Sequence, residues 1–148
     1  MRRSLTFSVV LTAALAATIH AQRPPAVGVR TLANVRQLHD ILISPASDAV
    51  FNAASSPPAD AQGWTAARDQ ALILAESGNL LMVGGRVRDN GNWMKMSRAM
   101  VDAAALAAAA AEKRDAMALE GAVDAITVSC MACHQPYRDQ GRQMGAPK

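Results

Sequence analysis

The stretch Cys130-Met131-Ala132-Cys133-His134 constrains this chain of 148 residues more than any other feature. Two thiols three positions apart, followed directly by a histidine, form the attachment signature of c-type haem. On a helix, positions i and i+3 lie on one side with their Cβ atoms about 5–6 Å apart, so both thiols can bond to the vinyl groups of one haem. His134 then lies beneath the macrocycle as the proximal iron ligand. The motif therefore predicts one covalently bound haem c per chain.

Other chemistry for the two cysteines is less consistent with the surrounding sequence. A dithiol redox site is expected near a βαβ unit, but the preceding residues are rich in alanine and predict the body of a helix. A structural zinc site needs four ligands, and the chain has two cysteines and three scattered histidines. A disulfide stays open as an alternative, because exported proteins with an even number of cysteines usually oxidise them.

The N-terminal residues follow the pattern of an export signal. Met1-Arg2-Arg3 is positively charged, residues 5–17 are mostly apolar, and Ala21 is a small residue suited to cleavage. We therefore predict a signal peptide over residues 1–21, a mature domain over residues 22–148 and a periplasmic location. An uncleaved anchor is the minor alternative. The arginine pair resembles a twin-arginine signal, but its flanking residues match poorly, which favours the general secretory route.

The net charge gives little information about binding partners. Loss of Arg2 and Arg3 with the signal would lower the 15 basic residues to 13, against 12 acidic residues, so the net charge would be +1. No basic patch with interleaved aromatic residues is visible, so the composition does not indicate nucleic-acid binding. The sequence also predicts no membrane association once the signal is removed.

Apolar residues recur at spacings of three and four in four segments, which predicts four amphipathic helices. The proposed buried positions are Leu32, Val35, His39 and Leu42; Trp64, Ala67, Ala71, Leu74, Gly78 and Leu81; Trp93, Met96, Met100, Ala103, Ala107 and Ala110; and Leu119, Val123, Ile126, Cys130, Cys133 and Tyr137. Four such helices with short connections predict an all-α fold, an antiparallel four-helix bundle with haem attached near the C-terminus.

Several residues suggest where the helices begin and end. Ser44-Pro45 predicts a kink or a restart in the first helix, with the serine as N-cap. The second helix is expected from about Asp60 to Gly84-Gly85. Asn92 and Asp115 are the predicted N-caps of the third and fourth helices.

With the attachment motif on the last of four helices, the chain resembles the class II c-type cytochromes, the cytochrome c′ family. The likeness in layout spans essentially the whole mature chain. It is strongest over residues 130–138, where the family commonly has Tyr-Arg after the motif, as Tyr137-Arg138 here. The resemblance implies a left-handed bundle, His134 as proximal ligand and often a homodimer. It also implies electron transfer or diatomic gas binding in the periplasm.

The resemblance separates these two functions at one position of the first helix. Low-spin members bind iron there through a methionine, whereas five-coordinate members have an apolar residue. In the segment 38–45, His39 stands where that methionine would be. We therefore expect His39 and His134 to be the two axial ligands of a low-spin haem, as in the low-spin branch of the family. Two imidazoles usually give a lower reduction potential than a histidine and methionine pair.

Other assignments stay open for these residues. His39 could instead be a half-buried histidine that hydrogen-bonds a neighbour or a propionate. Four methionines are further distal candidates, although methionines at helical spacing are more often core residues: Met82, Met94, Met96 and Met100. Four arginines are candidates for propionate contacts, Arg36 and Arg138 above all, with a solvated surface role as the alternative: Arg36, Arg86, Arg88 and Arg138.

The sequence thus predicts a periplasmic monohaem cytochrome that carries single electrons between redox partner proteins. Nothing in it suggests a substrate pocket, so we do not expect an enzyme. The alternatives are a five-coordinate cytochrome that binds NO or CO and, in a different class, a small helical bundle without haem or a subunit that feeds electrons to a fixed redox partner.

Overall fold

The computed structural model describes residues 28–138, and every regular element in this range is helical. The helices are α1 (Val35–Leu38), α2 (Ser44–Ser55), α3 (Ala61–Leu81), α4 (Asn92–Glu112) and α5 (Ala116–Tyr137), with a π-helical turn at His39–Ile43 and a 3-10 turn at Gly84–Arg86. No strand occurs among the described residues, which confirms the predicted all-α class. The predicted signal at residues 1–21 lies outside them.

The first helical segment runs without a break from α1 through the π-helical turn into α2. Asn34 begins it, because its side chain accepts a hydrogen bond from the Gln37 N–H at 2.9 Å while its own N–H donates to Gln37 Oε1 at 3.0 Å. The prediction that Ser44 restarts the helix as an N-cap is wrong. Ser44 has helical angles, φ −61° and ψ −52°, and its N–H donates to the carbonyl of His39.

Pro45 gives a physical reason for the π-helical turn. Proline has no N–H, and in an α-helix its ring would clash with the carbonyl four residues earlier. A π-helical turn, in which each bond spans five residues, widens the backbone just before that point. The chain therefore stays helical past Pro45, without the restart that the sequence suggested.

The same turn changes which residues of the first segment are buried. Leu32, a predicted buried position, precedes the helix and is 79% exposed. Leu38 before the turn and Ile43 after it are buried instead, at 2% and 5% exposure. The extra residue in the π-helical turn shifts the helical register, so a regular three-four spacing does not describe this segment. His39 lies at the edge of the core and is partly exposed.

The core is formed by α3, α4 and α5, with α2 packed against α3 and α5. All six predicted positions of α3 are buried. In α4 the predicted positions are buried except Met96, which is half-buried, and in α5 Leu119 and Ile126 are the fully buried ones. Most buried residues of α4 are alanines, which let neighbouring helices approach closely.

The predicted start of the second helix near Asp60 and one of the two predicted N-caps of the later helices, Asp115, are confirmed. Asp60 accepts a hydrogen bond from the Gly63 N–H at 2.8 Å, and Asp115 accepts one from Ala118 at 3.0 Å. Asn92 is not a cap, because it is already the first residue of α4 and Gly91 precedes it as N-cap. The Asp89 carboxylate fills this role from outside the helix.

Helix α5 is long and apolar enough to cross a membrane by length and composition alone. Among the described helices no other meets that test. One such helix is only weak evidence of a membrane span, because the core helix of a soluble protein meets the test too. Its Leu119 and Ile126 are buried in the core. Its other side carries exposed apolar residues, including Val128 and Met131.

Candidate haem-binding site

A cavity of about 570 Å³ lies between the first helical segment and the C-terminal half of α5. Its volume is within the usual range of ligand pockets, about 300–1,000 Å³. The six residues that the sequence proposed first for thioether bonds, iron ligation and propionate contacts all line this one cavity: Arg36, His39, Cys130, Cys133, His134 and Arg138. Residues of α3 and α4 line it further inside.

Cys130 and Cys133 are free, half-buried thiols on one side of α5. Burial raises the pKa of both thiols. This is the opposite of a dithiol redox site, where the attacking cysteine has a lowered pKa. A disulfide is also disfavoured, because helical positions i and i+3 hold their Cβ atoms about 5–6 Å apart, whereas a disulfide needs about 3.5–4.5 Å. The described residues contain no metal-binding group of three or more acidic, histidine or cysteine side chains either.

The two histidines of the described chain face each other across the cavity. The ring centroids of His39 and His134 are 5.5 Å apart, and the ring planes are inclined by 46°. Two metal–imidazole bonds of about 2.0–2.1 Å each, together with the distance from each ligating nitrogen to its ring centroid, add up to slightly more than that separation. The rings therefore have to separate slightly for an iron to lie between them. The first helical segment and α5 thus bring together two residues that are far apart in the sequence.

The π-helical turn also orients His39. Its Nδ1 atom lies 3.0 Å from the hydroxyl oxygen of Ser44, within hydrogen-bond distance. Asp40 Oδ1 is 4.0 Å from the same nitrogen, which is too far for a hydrogen bond. The hydrogen bond to Ser44 uses Nδ1 and leaves Nε2 as the nitrogen able to bind a metal. The His39 side chain is 38% exposed, so the alternative of a half-buried histidine describes its burial equally well.

Three arginines lie at the cavity, and a fourth has a different role. Arg36, Arg88 and Arg138 line it, and Arg36 is 90% exposed with Asp40 Oδ2 at 3.7 Å. Arg86 is only 7% exposed. Its guanidinium donates to the carbonyls of Ala33 and Leu80 at 3.0 and 3.1 Å. Neither a propionate contact nor a surface role fits Arg86, which ties the chain before α1 to the end of α3.

The inner wall of the cavity is apolar and includes Trp93 and Met100 from α4. Of the four methionines proposed as distal candidates, only Met100 lines the cavity. The Ser97 hydroxyl is buried at the same wall and has no hydrogen-bond partner. This unpaired group is one that sequence reasoning missed, because a serine at a core position of a helix gives no signal of its own.

A hydrogen bond joins Tyr137, which lines the cavity, to Asp89 just before the start of α4. The Tyr137 hydroxyl donates to Asp89 Oδ2, and Asp89 Oδ1 accepts from the Gly91 and Trp93 N–H groups at 2.8 and 3.1 Å. The hydrogen bond raises the pKa of Tyr137 to about 12 and lowers the pKa of Asp89. The Tyr137 ring also packs edge-on against Trp93, with centroids 5.0 Å apart. The sequence did not predict that Asp89 caps the start of α4, because Asn92 is the stronger local capping signal.

The residues at this cavity suit a covalently held haem. Two free thiols and two facing imidazoles match the groups that such a cofactor needs. Apolar side chains cover the inner wall, and arginines that can pair with carboxylates stand at the cavity. The unpaired Ser97 hydroxyl also faces a space that the protein's own side chains do not fill.

Comparison with known proteins agrees with this geometry over the second half of the chain. The family model described as Cytochrome C' matches residues 88–138, which comprise α4, α5 and the attachment motif. The match does not extend to the first helical segment, where His39 lies. No match was found among the curated proteins or among the solved structures. The family match supports a c-type cytochrome of the cytochrome c′ family, whose members hold haem c covalently.

Proposed function

We propose that this protein is a periplasmic monohaem c-type cytochrome that transfers single electrons. One observation carries the proposal: a single cavity is lined by both cysteines of the motif and by His39 and His134, the two histidines of residues 28–138. Residues 1–21 would be the export signal and residues 22–148 the mature domain, folded as an antiparallel four-helix bundle.

In this proposal each cavity residue has a distinct part. Haem c supplies the Fe(III)/Fe(II) couple when bound, and Cys130 and Cys133 hold it through thioether bonds. His134 is the proximal ligand and His39 the distal one. The 5.5 Å separation of their rings supports this pairing. With imidazoles on both sides, the ferric state is stabilised, and the reduction potential is lower than with a distal methionine.

The charged residues at the cavity complete the site. Arg36 and Arg138 are the proposed propionate contacts, and Arg88 is a further cation in the same place. Arginine is well suited to this because it binds a carboxylate through two parallel hydrogen bonds. The exposed part of the haem would be the point where redox partner proteins exchange electrons. We do not propose catalysis, nucleic-acid binding or membrane binding of the mature chain, and a homodimer remains an expectation from the resemblance.

A five-coordinate cytochrome that binds NO or CO is the second candidate. The family match fits it at least as well as it fits electron transfer. His39 is also 38% exposed and lies on a π-helical turn, a local structure that is less regular than an α-helix. In this version His39 does not bind iron and an open distal face accepts the gas.

Absorption spectra of the purified, exported protein separate the two candidates. For a bis-histidine haem we expect sharp α and β bands in the reduced state and little change when CO is added. Broad high-spin bands that shift strongly with CO would support gas binding instead. Absence of a Soret band would remove both candidates and leave a helical protein without haem.

A further inference from the structure

We propose that Ser44 is a positioning residue for the distal ligand: its hydroxyl accepts the Nδ1 proton of His39 and so directs Nε2 toward the iron. This inference rests on the proposed bis-histidine haem. The carrying observation is the 3.0 Å contact between Ser44 Oγ and His39 Nδ1. No motif in the sequence assigns a role of this kind to Ser44.

The π-helical turn is what makes this contact available. In an α-helix the neighbours of residue i are i+3 and i+4, and residue i+5 lies on another side. In a π-helix the backbone bond spans five residues, so residue i+5 lies one turn above residue i. Here the Ser44 N–H donates to the His39 carbonyl, and the two side chains meet as well. Ser44 therefore contacts His39 only because the helix is locally π-helical.

The protonation state of a ligating imidazole fixes the direction of the hydrogen bond. A neutral imidazole has one N–H and one bare nitrogen. If Nε2 binds iron, Nδ1 carries the proton and donates it to Ser44 Oγ. A serine proton pointing at Nδ1 would leave the proton on Nε2 and prevent ligation. Metal-bound histidines commonly donate their second nitrogen in this manner, which fixes the tautomer and raises the basicity of the ligand.

Two consequences follow for the haem. A more basic distal imidazole stabilises ferric iron, so the Ser44 hydroxyl should lower the reduction potential. It should also hold His39 on the ferrous iron against competition from an external ligand. Asp40 does not replace it, because its carboxylate is 4.0 Å from Nδ1 and lies 3.7 Å from the Arg36 guanidinium.

The test measures the CO affinity of the ferrous holoprotein and its reduction potential in Ser44→Ala. CO has to displace His39, so its apparent affinity is proportional to the fraction of protein in which the iron is free of His39. Loss of a hydrogen-bonding partner behind a metal ligand typically costs about 10–100-fold in metal affinity or activity, and we expect a rise in CO affinity of that order. The potential should rise at the same time. Alanine favours helix, so the variant should fold.

Two further variants separate positioning from general structural effects. Ser44→Thr keeps a hydroxyl and should restore CO affinity and potential to near the original values. Ser55→Ala removes a hydroxyl that donates to the Phe51 carbonyl at 2.9 Å in the same helix, away from the cavity, and should change neither. The inference is overturned if Ser44→Ala leaves both quantities unchanged, or if Ser44→Thr behaves like Ser44→Ala.

His39→Ala, measured alongside, distinguishes this inference from the function on which it rests. If His39→Ala converts the haem to high spin while Ser44→Ala has no effect, only the role of Ser44 fails. If the original protein is already high spin, or His39→Ala does not change its spectrum, the bis-histidine assignment fails and the role of Ser44 with it.

Discussion

The two halves of the helical core are packed in opposite ways. In the alanine half, α3 and α4 meet directly through small buried side chains: Ala67, Ala71, Ala75, Ala103, Ala104, Ala107, Ala108, Ala110 and Ala111. In the cavity half, large side chains such as Trp93 and Met100 border a space of about 570 Å³. A pocket of this size is typical of ligand sites, so the comparison agrees with the proposal that the cavity half holds a cofactor.

Gly78 shows how closely α3 and α4 approach each other in the alanine half. A Cβ atom on Gly78 would lie 2.6 Å from Val101 Cγ2 and 3.2 Å from the Ser97 carbonyl oxygen. Ser97 also borders the cavity, so the tight packing and the open space adjoin each other along α4. Substitutions in the cavity half should therefore change haem attachment or the haem spectrum. Substitutions in the alanine half should lower the free energy of unfolding.

The largest expected effect is that of Cys130→Ala combined with Cys133→Ala. Both thioether bonds would be lost, so we expect no covalently bound haem after export. The helices of the alanine half should still form, because the two thiols are only partly buried at the edge of the core and alanine keeps the Cβ atom at each position. Haem staining after denaturing electrophoresis detects covalently bound haem. Far-ultraviolet circular dichroism measures the helix content. Covalent haem in the double variant would contradict the assignment.

His39→Ala should change the spin state of the haem without releasing it. The distal ligand is lost while the thiols and His134 remain, so the reduced spectrum should become high spin and sensitive to CO. Met100→Leu is the matched comparison, because Met100 is the methionine among the four candidates that lines the cavity. It should stay low spin. If Met100→Leu converted the haem to high spin and His39→Ala did not, the distal ligand would be Met100.

Gly78→Ala should lower the free energy of unfolding by about 1–3 kcal/mol, the usual cost of overpacking a core. The neighbouring Val101 is stiff and the Ser97 carbonyl belongs to the backbone, so neither can move easily. Gly121→Ala on α5 is the control, because a Cβ there meets nothing within 4 Å. It should stabilise by up to about 1 kcal/mol, since alanine favours helix over glycine. Denaturant unfolding of both variants gives the comparison, and equal effects would contradict the tight contact at Gly78.

The smallest expected effect is a pH dependence from the Tyr137–Asp89 hydrogen bond. The pKa of Tyr137 is raised to about 12, so its contribution is complete below the unfolded pKa of about 10 and is lost as the pH rises toward 12. The pKa of Asp89 is lowered, so its contribution is present above about pH 4 and is lost as the pH falls below that value.

Tyr137→Phe removes this hydrogen bond and keeps a ring that can pack on Trp93. The melting temperature of the variant should therefore lie below that of the original protein near neutral pH. The difference should shrink as the pH is raised from 10 to 12. A difference that stays constant across this range would show that the hydroxyl contributes nothing through its ionisation.

Much of the fold followed from the sequence where helices are regular. The predicted buried positions of α3 from Trp64 to Leu81 are correct because that helix has no proline and its Asp60 cap is local. The attachment motif predicts Cys130, Cys133 and His134 as haem-binding residues because haem chemistry fixes their spacing, and the three line one cavity. The structure places the separately proposed His39 in the same cavity.

Elsewhere the sequence did not predict the structure correctly, because tertiary contacts or unusual local structure determined it. The register of the first segment was mispredicted because the π-helical turn before Pro45 does not follow the 3.6-residue period. The contact between His39 and Ser44 was missed for the same reason. Asp89 was missed because its carboxylate caps α4 from three residues outside it while also binding Tyr137, a residue 48 positions away. No local pattern carries that information.

The central claim is tested most directly by the intact mass of the exported protein under denaturing conditions, before and after treatment with a thiol-alkylating reagent. We predict a polypeptide whose mass is increased by one haem and in which neither Cys130 nor Cys133 reacts with the reagent. A mass equal to that of the bare polypeptide, with both thiols alkylated, would contradict the account.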